Sequence, residues 1–263
     1  MKKWIVEKND IINQKIFSQS NQDGILYYIF SNLNYINQKP FCMEFGFNNC
    51  NLRSKNNANV ANLIFTRNFD YILFDGENSD LSINLHKEFL TSENICDIFK
   101  KYNIPKEPEY ISIDVDSTDL WLLESILKEY KPMVISSEYN CHFPLNSSIT
   151  MINEPYKWNG DRAYGASLKA LNIVAKKYDY TLCFVAAYQD AFYIRNDLIK
   201  NCIKPNFESF SKYCGVRGHA FLKNKNTINK FIDYEEFLKT NDINKSKEKI
   251  KNIIFQYMFS DLI

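Results

Sequence analysis

No run of about 20 apolar residues occurs in the chain, so no membrane-spanning helix is expected. The N-terminus opens with two lysines but reaches Glu7 and Asp10 before any apolar stretch of secretory length develops, which argues against a leader. Charge of one sign is also lacking: Lys+Arg 32 against Asp+Glu 31 leaves +1, so no overall field draws nucleic acid or an anionic membrane. Aromatic residues make up 15% of the chain but are not interleaved with a basic run, so the footprint of a nucleic-acid binder is absent. The seven cysteines (42, 50, 96, 141, 183, 202, 214) form no C-x-x-C pair. Several sit in apolar runs as small buried hydrophobes, and a reduced, cytoplasmic setting is expected. No Ser-His-Asp arrangement or activated cysteine is legible. Finally, no G-x-G-x-x-G follows the first strand candidate. Phe47, Asn48, Asn49 and Cys50 leave poor room for a pyrophosphate against backbone amides, which argues against a nicotinamide or flavin dinucleotide.

What is present is an ordinary globular composition, 45% hydrophobic and 24% charged over 263 residues, suited to one large α/β domain with additions. Apolar runs at 41–47, 71–76, 109–116, 132–139, 180–187 and 191–196 read as strands, with a weaker one at 86–91. Segments 24–33, 60–66, 92–102, 117–130 and 163–178 carry apolar residues at helical spacing. Ser117 or Thr118 is the natural N-cap of the fourth, and Pro132 stops it. The alternation predicts a doubly wound, mostly parallel sheet of about seven strands. Only "YQD" (188–190) separates the last two, too short for a crossover, so the sheet should end in an antiparallel hairpin. Residues 1–198 are expected to form this core with an N-terminal helical extension, and 199–263 a helical and irregular extension packing on it. In that extension Ile243, Ile250, Ile253, Ile254, Tyr257 and Met258 fall on one helical face, a docking surface for the same domain or for a second copy in a homo-oligomer. No internal repeat is found.

Ligands of open α/β sheets bind beyond the carboxyl ends of the strands. Here those ends are acidic: Glu44 with Gly46, Asp75 with Glu77, Asp114 with Asp116, and Glu138. A ligand with hydroxyls and a positive charge but no phosphate suits them, and S-adenosylmethionine is such a ligand.

The blocks "FSQSNQDGILYYIF", "FCMEFGF", "LTSENICDIFKKYNIPKEPEYISIDVDSTDLWLLESI", "KPMVISSEYN" and "YGASLKALNIVAKKYDYTL" resemble the FkbM-type class I SAM-dependent methyltransferases of surface-glycan and natural-product clusters. The likeness covers roughly residues 17–198. It implies a Rossmann-like seven-stranded sheet with a terminal antiparallel strand, and methyl transfer, most simply to an oxygen of a small carbohydrate or phosphoryl-bearing acceptor. By this resemblance Glu44 and Gly46 belong to the first SAM loop, Asp75 or Glu77 holds the ribose, and Asp114 sits beside the reacting methyl. The second glycine usual in that loop is missing, although Asn48 or Asn49 can adopt the positive φ it would supply.

The residues themselves leave alternatives. Asp114 and Asp116 either end a strand and favour the next helix N-terminus, or converge with Glu138 on a divalent cation, Mg²⁺ or Mn²⁺. Such convergence is costly unless a cation neutralises it. Asn140 and His142 are further candidate ligands, and His142 is alternatively a general base or a loop residue without a role. His86 reads as structural. Tyr156, Trp158 and Tyr164 form either an acceptor wall or plain packing. Arg217 and His219, between glycines, either close over an anionic acceptor or form an ordinary turn. A DxD-type metal-dependent glycosyltransferase using a nucleotide sugar is the first rival function, and a non-catalytic binding module the second.

Overall fold

The computed structural model describes residues 1–7, 10–33, 38–49, 51–55, 57–160, 162–219, 222 and 225–260, with side chains within 225–226 and 255–260 left aside. Cys50, and the side chains of Tyr257 and Met258, therefore lie outside the described residues.

Seven strands form one sheet in the order β3-β2-β1-β4-β5-β8-β7. Its members are β1 (Phe41–Phe45), β2 (Asp70–Asp75), β3 (Leu85–Lys87), β4 (Tyr110–Ile113), β5 (Val134–Glu138), β7 (Tyr180–Val185) and β8 (Asp190–Arg195). The first five pair in parallel, while β8 runs antiparallel to both β5 and β7. The doubly wound, Rossmann-like α/β class with a terminal hairpin is thus as predicted.

Successive residues of a strand face opposite ways, and here both faces are covered, so the central strands are apolar almost throughout. Met43, Phe45, Ile111, Ile113 and Ile135 enter one core with α3 (Ile95–Lys101), α4 (Asp119–Glu129) and α5 (Leu168–Lys177). Cys42, Leu73, Tyr110, Val134 and Phe192 enter the other, with α1 (Gln22–Asn32) and α2 (Ala61–Arg67). In α4, Leu120, Leu122, Leu123 and Ile126 are fully buried. Pro132 follows its end at Glu129, as the pattern predicts.

Two expectations change. A separate antiparallel pair, β6 (Ile149–Met151) with β9 (Phe231–Asp233), ties the C-terminal segment to the core. Three-residue strands carry too little periodicity to be read from sequence. In the last helix, Ile243–Ser260, Ile250 and Ile254 are buried while Ile243 is exposed, so the apolar face is shorter than its pattern. Among the described residues no helix is long and apolar enough to cross a membrane.

Candidate functional site

Register places the site. Glu44, Ser112, Ser136 and Phe192 are neighbours across β1, β4, β5 and β8. They share the sheet face that α1 and α2 cover. One pleat further on, the same face carries Gly46, Asp114, Glu138 and Asp190, the last two directly paired. Three carboxylates therefore stand side by side on adjacent strand ends.

Glu44 is 6% exposed, and its two oxygens accept from the backbone amides of Asn59 (3.1 Å) and Val60 (3.0 Å) at the start of α2. Burial pushes its carboxyl up to about 8, against the lowering effect of those amides. The Asn59 side chain donates to Ser112 Oγ at 3.1 Å, and Ser112, Ser136 and Tyr110 continue the hydrogen bonding into the core. Gly46, at φ +79°, has no room for a Cβ, which would fall 1.8 Å from the carbonyl oxygen of Asp114. The close approach of β1 and β4 at this point requires glycine.

Asp114 and Asp116 do not share a face through strand alternation, because β4 ends at Ile113 and Asp116 has a left-handed backbone, φ 54°. Asp119 bends the chain instead. Its buried carboxylate accepts from Val115 N at 2.9 Å and from Ser117 N at 3.0 Å. Burial lifts it to about 7. Thr118 occupies the N-cap position of α4, with no side-chain cap bond among the described residues, and the Asp119 carboxylate ties the loop before the helix rather than capping it. The bent loop brings oxygens of Asp114, Asp116 and Glu138 within 4.8 Å of one another. Burial, then mutual repulsion, holds the Asp114 and Glu138 carboxyls well above the usual carboxylate range; burial raises Asp116. Among the described residues, Glu138 Oε2 is buried without a hydrogen-bond partner.

Two cavities adjoin this group. The first, of about 280 Å³, is walled by Glu44, Gly46, Asp114, Asp116, Glu138 and Asp190 and by glutamine and asparagine side chains. The second, of about 320 Å³, lies toward β2 and is lined by Asp75, Gly76, Glu77, Asn78, Phe89 and Tyr156 among others. Gly46, Asn48, Asp114, Asp116 and Trp158 border both. Asp75 Oδ1 accepts from the amides of Glu77 (2.9 Å) and Asn78 (2.6 Å) and from the Asn78 side chain (2.8 Å), shaping the turn after β2. Glu77 is exposed and paired with Lys157, which lowers its carboxyl.

No family model matches the chain, and no curated protein matches it. Among solved structures it is similar to the CMeT domain of the citrinin polyketide synthase, at 9% identity and TM-score 0.34, over 66% of this chain and 51% of that one. The chain thus spans about half the length of that structure. At this level the likeness assigns no residue and no reaction, and the fold rests on the strand order itself.

Several predicted residues stand apart from the cavities. His142 lies beside Tyr164, ring centres 6.4 Å apart, and lines neither cavity. Burial lowers its pKa, helped by Arg162 and Arg217. Asn140 is not free to ligate, because its amide donates to the carbonyls of Arg162 and Tyr164 and accepts from His142 N. Tyr164 packs edge-on to Trp158 at 6.3 Å, behind the wall. His219 is buried against Phe143 and bonds Ser147 Oγ at 2.9 Å, and Arg217 is exposed; neither lines either cavity. His86 is structural as expected, bonded to Asn84 and packed on Tyr102.

The residue that sequence reasoning missed is Asp190. In "YQDAF" it reads as the end of a hairpin turn. An antiparallel strand that enters the sheet beside Glu138 starts where the parallel strands end, and this topology was the available signal.

Proposed function

We propose that the chain is an S-adenosylmethionine-dependent methyltransferase acting on a hydroxyl oxygen of a small polar acceptor, a sugar of surface-glycan modification, with a divalent cation, Mg²⁺ or Mn²⁺, held by Asp114, Asp116 and Glu138. The observation that carries this reading is the meeting of two chemically different cavities at Asp114 and Asp116. The second cavity suits an adenosine: Phe89 offers an apolar face, and among the described residues the three bonds to the Asp75 carboxylate all fall on Oδ1, leaving Oδ2 for a ribose diol. The first suits the positive sulfonium and a hydroxylated acceptor, since among the described residues no lysine, arginine or histidine lines it. The same lining favours a sugar without phosphate over a phosphoryl-bearing acceptor. It also weighs against a nucleotide diphosphate, because Lys157, the cation bordering the second cavity, is already paired with Glu77.

The donor set fits a hard divalent cation: three carboxylates, close together, one oxygen of Glu138 buried without a partner among the described residues. When bound, S-adenosylmethionine supplies an electrophilic methyl group and the cation lowers the pKa of the acceptor hydroxyl. The chain's own residues do the positioning. Gly46 lets the backbone of Asp114 close against the end of β1, Asp119 holds the 114–117 loop in its bent form, and Trp158 borders both cavities at their junction. With His142 off the wall, the hydroxyl proton falls to a carboxylate of the first cavity.

Calorimetric titration with S-adenosylhomocysteine and with a uridine diphosphate sugar, each with and without Mn²⁺, tests the reading. Binding of the first is expected. Selective, Mn²⁺-dependent binding of the nucleotide sugar would establish the glycosyltransferase instead, and no binding of either by folded protein would favour the non-catalytic module.

A further inference from the structure

Five carboxylates and six amide side chains wall the first cavity. Three of the carboxylates belong to the candidate cation centre, and Glu44 is spent on the amides of Asn59 and Val60. Asp190 is the one left. It is 2% exposed; its Oδ2 accepts from Gln22 Nε2 at 2.8 Å, the nearby Asn59 side chain joins Gln22 in lowering its carboxyl against the rise from burial, and among the described residues its Oδ1 has no hydrogen-bond partner.

The surroundings of Asp190 are built rather than incidental. Gln22 Oε1 accepts from Ser20 N at 2.7 Å, which fixes the amide so that its nitrogen faces Asp190. The same nitrogen reaches Gln189 Oε1 at 3.1 Å, and Gln189 donates to Gln19 Oε1 at 2.6 Å. The entry to α1 and the β7–β8 turn are thereby laced together around one buried carboxylate. Nothing in this lacing neutralises it. Among the described residues Asp190 belongs to no cluster with the three ligand groups a metal ion needs.

We infer that Asp190, oriented by Gln22, is a receptor for a primary ammonium group. An ammonium is a cation that one buried carboxylate oxygen on a polar, uncharged wall can satisfy, because it brings three donors and makes no demand for a coordination shell. The inference rests on the reading of the same cavity given above. Two molecules supply such a group there: the amino-acid end of the cofactor, or an amine on the acceptor sugar.

The test compares wild type with Asp190→Asn by calorimetry, using S-adenosylhomocysteine, 5′-methylthioadenosine, which lacks the amino-acid end, and glucosamine against glucose. Loss of about tenfold or more in affinity for S-adenosylhomocysteine, with 5′-methylthioadenosine unchanged, supports the receptor and assigns it to the cofactor. Unchanged nucleoside affinities with lost preference for glucosamine over glucose support it and assign it to the acceptor. If neither changes, or both nucleosides weaken alike, the receptor is refuted. Gln22→Leu should give the same pattern with a smaller loss, and decides the matter if Asp190→Asn does not fold. Wild type that binds neither nucleoside would sink the cofactor reading alone, and the glucosamine arm would still decide the role of Asp190.

Discussion

Gly46 and Asp114 touch backbone to backbone: a Cβ on the glycine would stand 1.8 Å from the aspartate's carbonyl oxygen. With φ at +79°, Gly46→Ala must both strain its own backbone and push β4 away from β1. A loss of stability on the order of 1–3 kcal/mol is expected, together with loss of S-adenosylhomocysteine binding. Urea denaturation and calorimetry on the variant check this; a variant that keeps both would mean the strand ends adjust freely.

Asp119→Ala removes the acceptor for two backbone amides, Val115 N and Ser117 N. Leaving them unsatisfied should cost about 1–3 kcal/mol. Mn²⁺ affinity should also fall, although Asp119 is not proposed as a ligand, because Asp116 loses its support. Unfolding curves and Mn²⁺ titration by electron paramagnetic resonance read the two effects separately.

Asp114→Asn and Glu138→Gln are each expected to abolish turnover and Mn²⁺ binding while sparing nucleoside binding. Without cation both should be more stable than wild type, since each removes a buried, repelled carboxylate. Thermal unfolding in a chelator is the measurement, and a fall in stability would show that the carboxylates do not repel one another there.

Stability of the cation-free protein should fall as pH rises. Glu44 is lifted to about 8, Asp119 to about 7 and Asp190 to about 6, with Asp114, Asp116 and Glu138 also raised. The folded state therefore holds protons that the unfolded chain releases near pH 4, and that advantage is lost as pH climbs through the folded values. His142 and His219, both lowered, act in the opposite sense, but only below about 6.5, where the unfolded imidazoles protonate. The window from about 6.5 to 7.5 lies above the histidines and below the cysteines, whose raised thiols add a fall of the same sign at higher pH: the melting temperature should drop across it, and Mn²⁺ should flatten the drop. A flat or rising profile in chelator would contradict the burial of these carboxylates.

Trp158 is 40% exposed and borders both cavities. Trp158→Ala should weaken S-adenosylhomocysteine at least about fivefold and change stability by under about 1 kcal/mol, since little packing is lost. Equal losses in both would make it a packing residue.

The parallel sheet, its helices and the closing hairpin were legible because each rests on local pattern. Apolar runs bounded by turns, helical spacing and the brevity of "YQD" are properties of neighbouring residues. The acidic strand ends were legible for the same reason, and the fold converts them into one crevice by rule. Tertiary structure alone decided which acids meet. Asp116 joins Asp114 through a left-handed turn drawn tight by Asp119, not through strand alternation. Asp190 joins Glu138 because an antiparallel strand starts where its parallel neighbours stop. Asn140 is withdrawn by carbonyls more than twenty residues away, and His142 stays off the wall. Sequence pattern reports the period of a segment; hydrogen bonds and registers between distant segments set where its ends point.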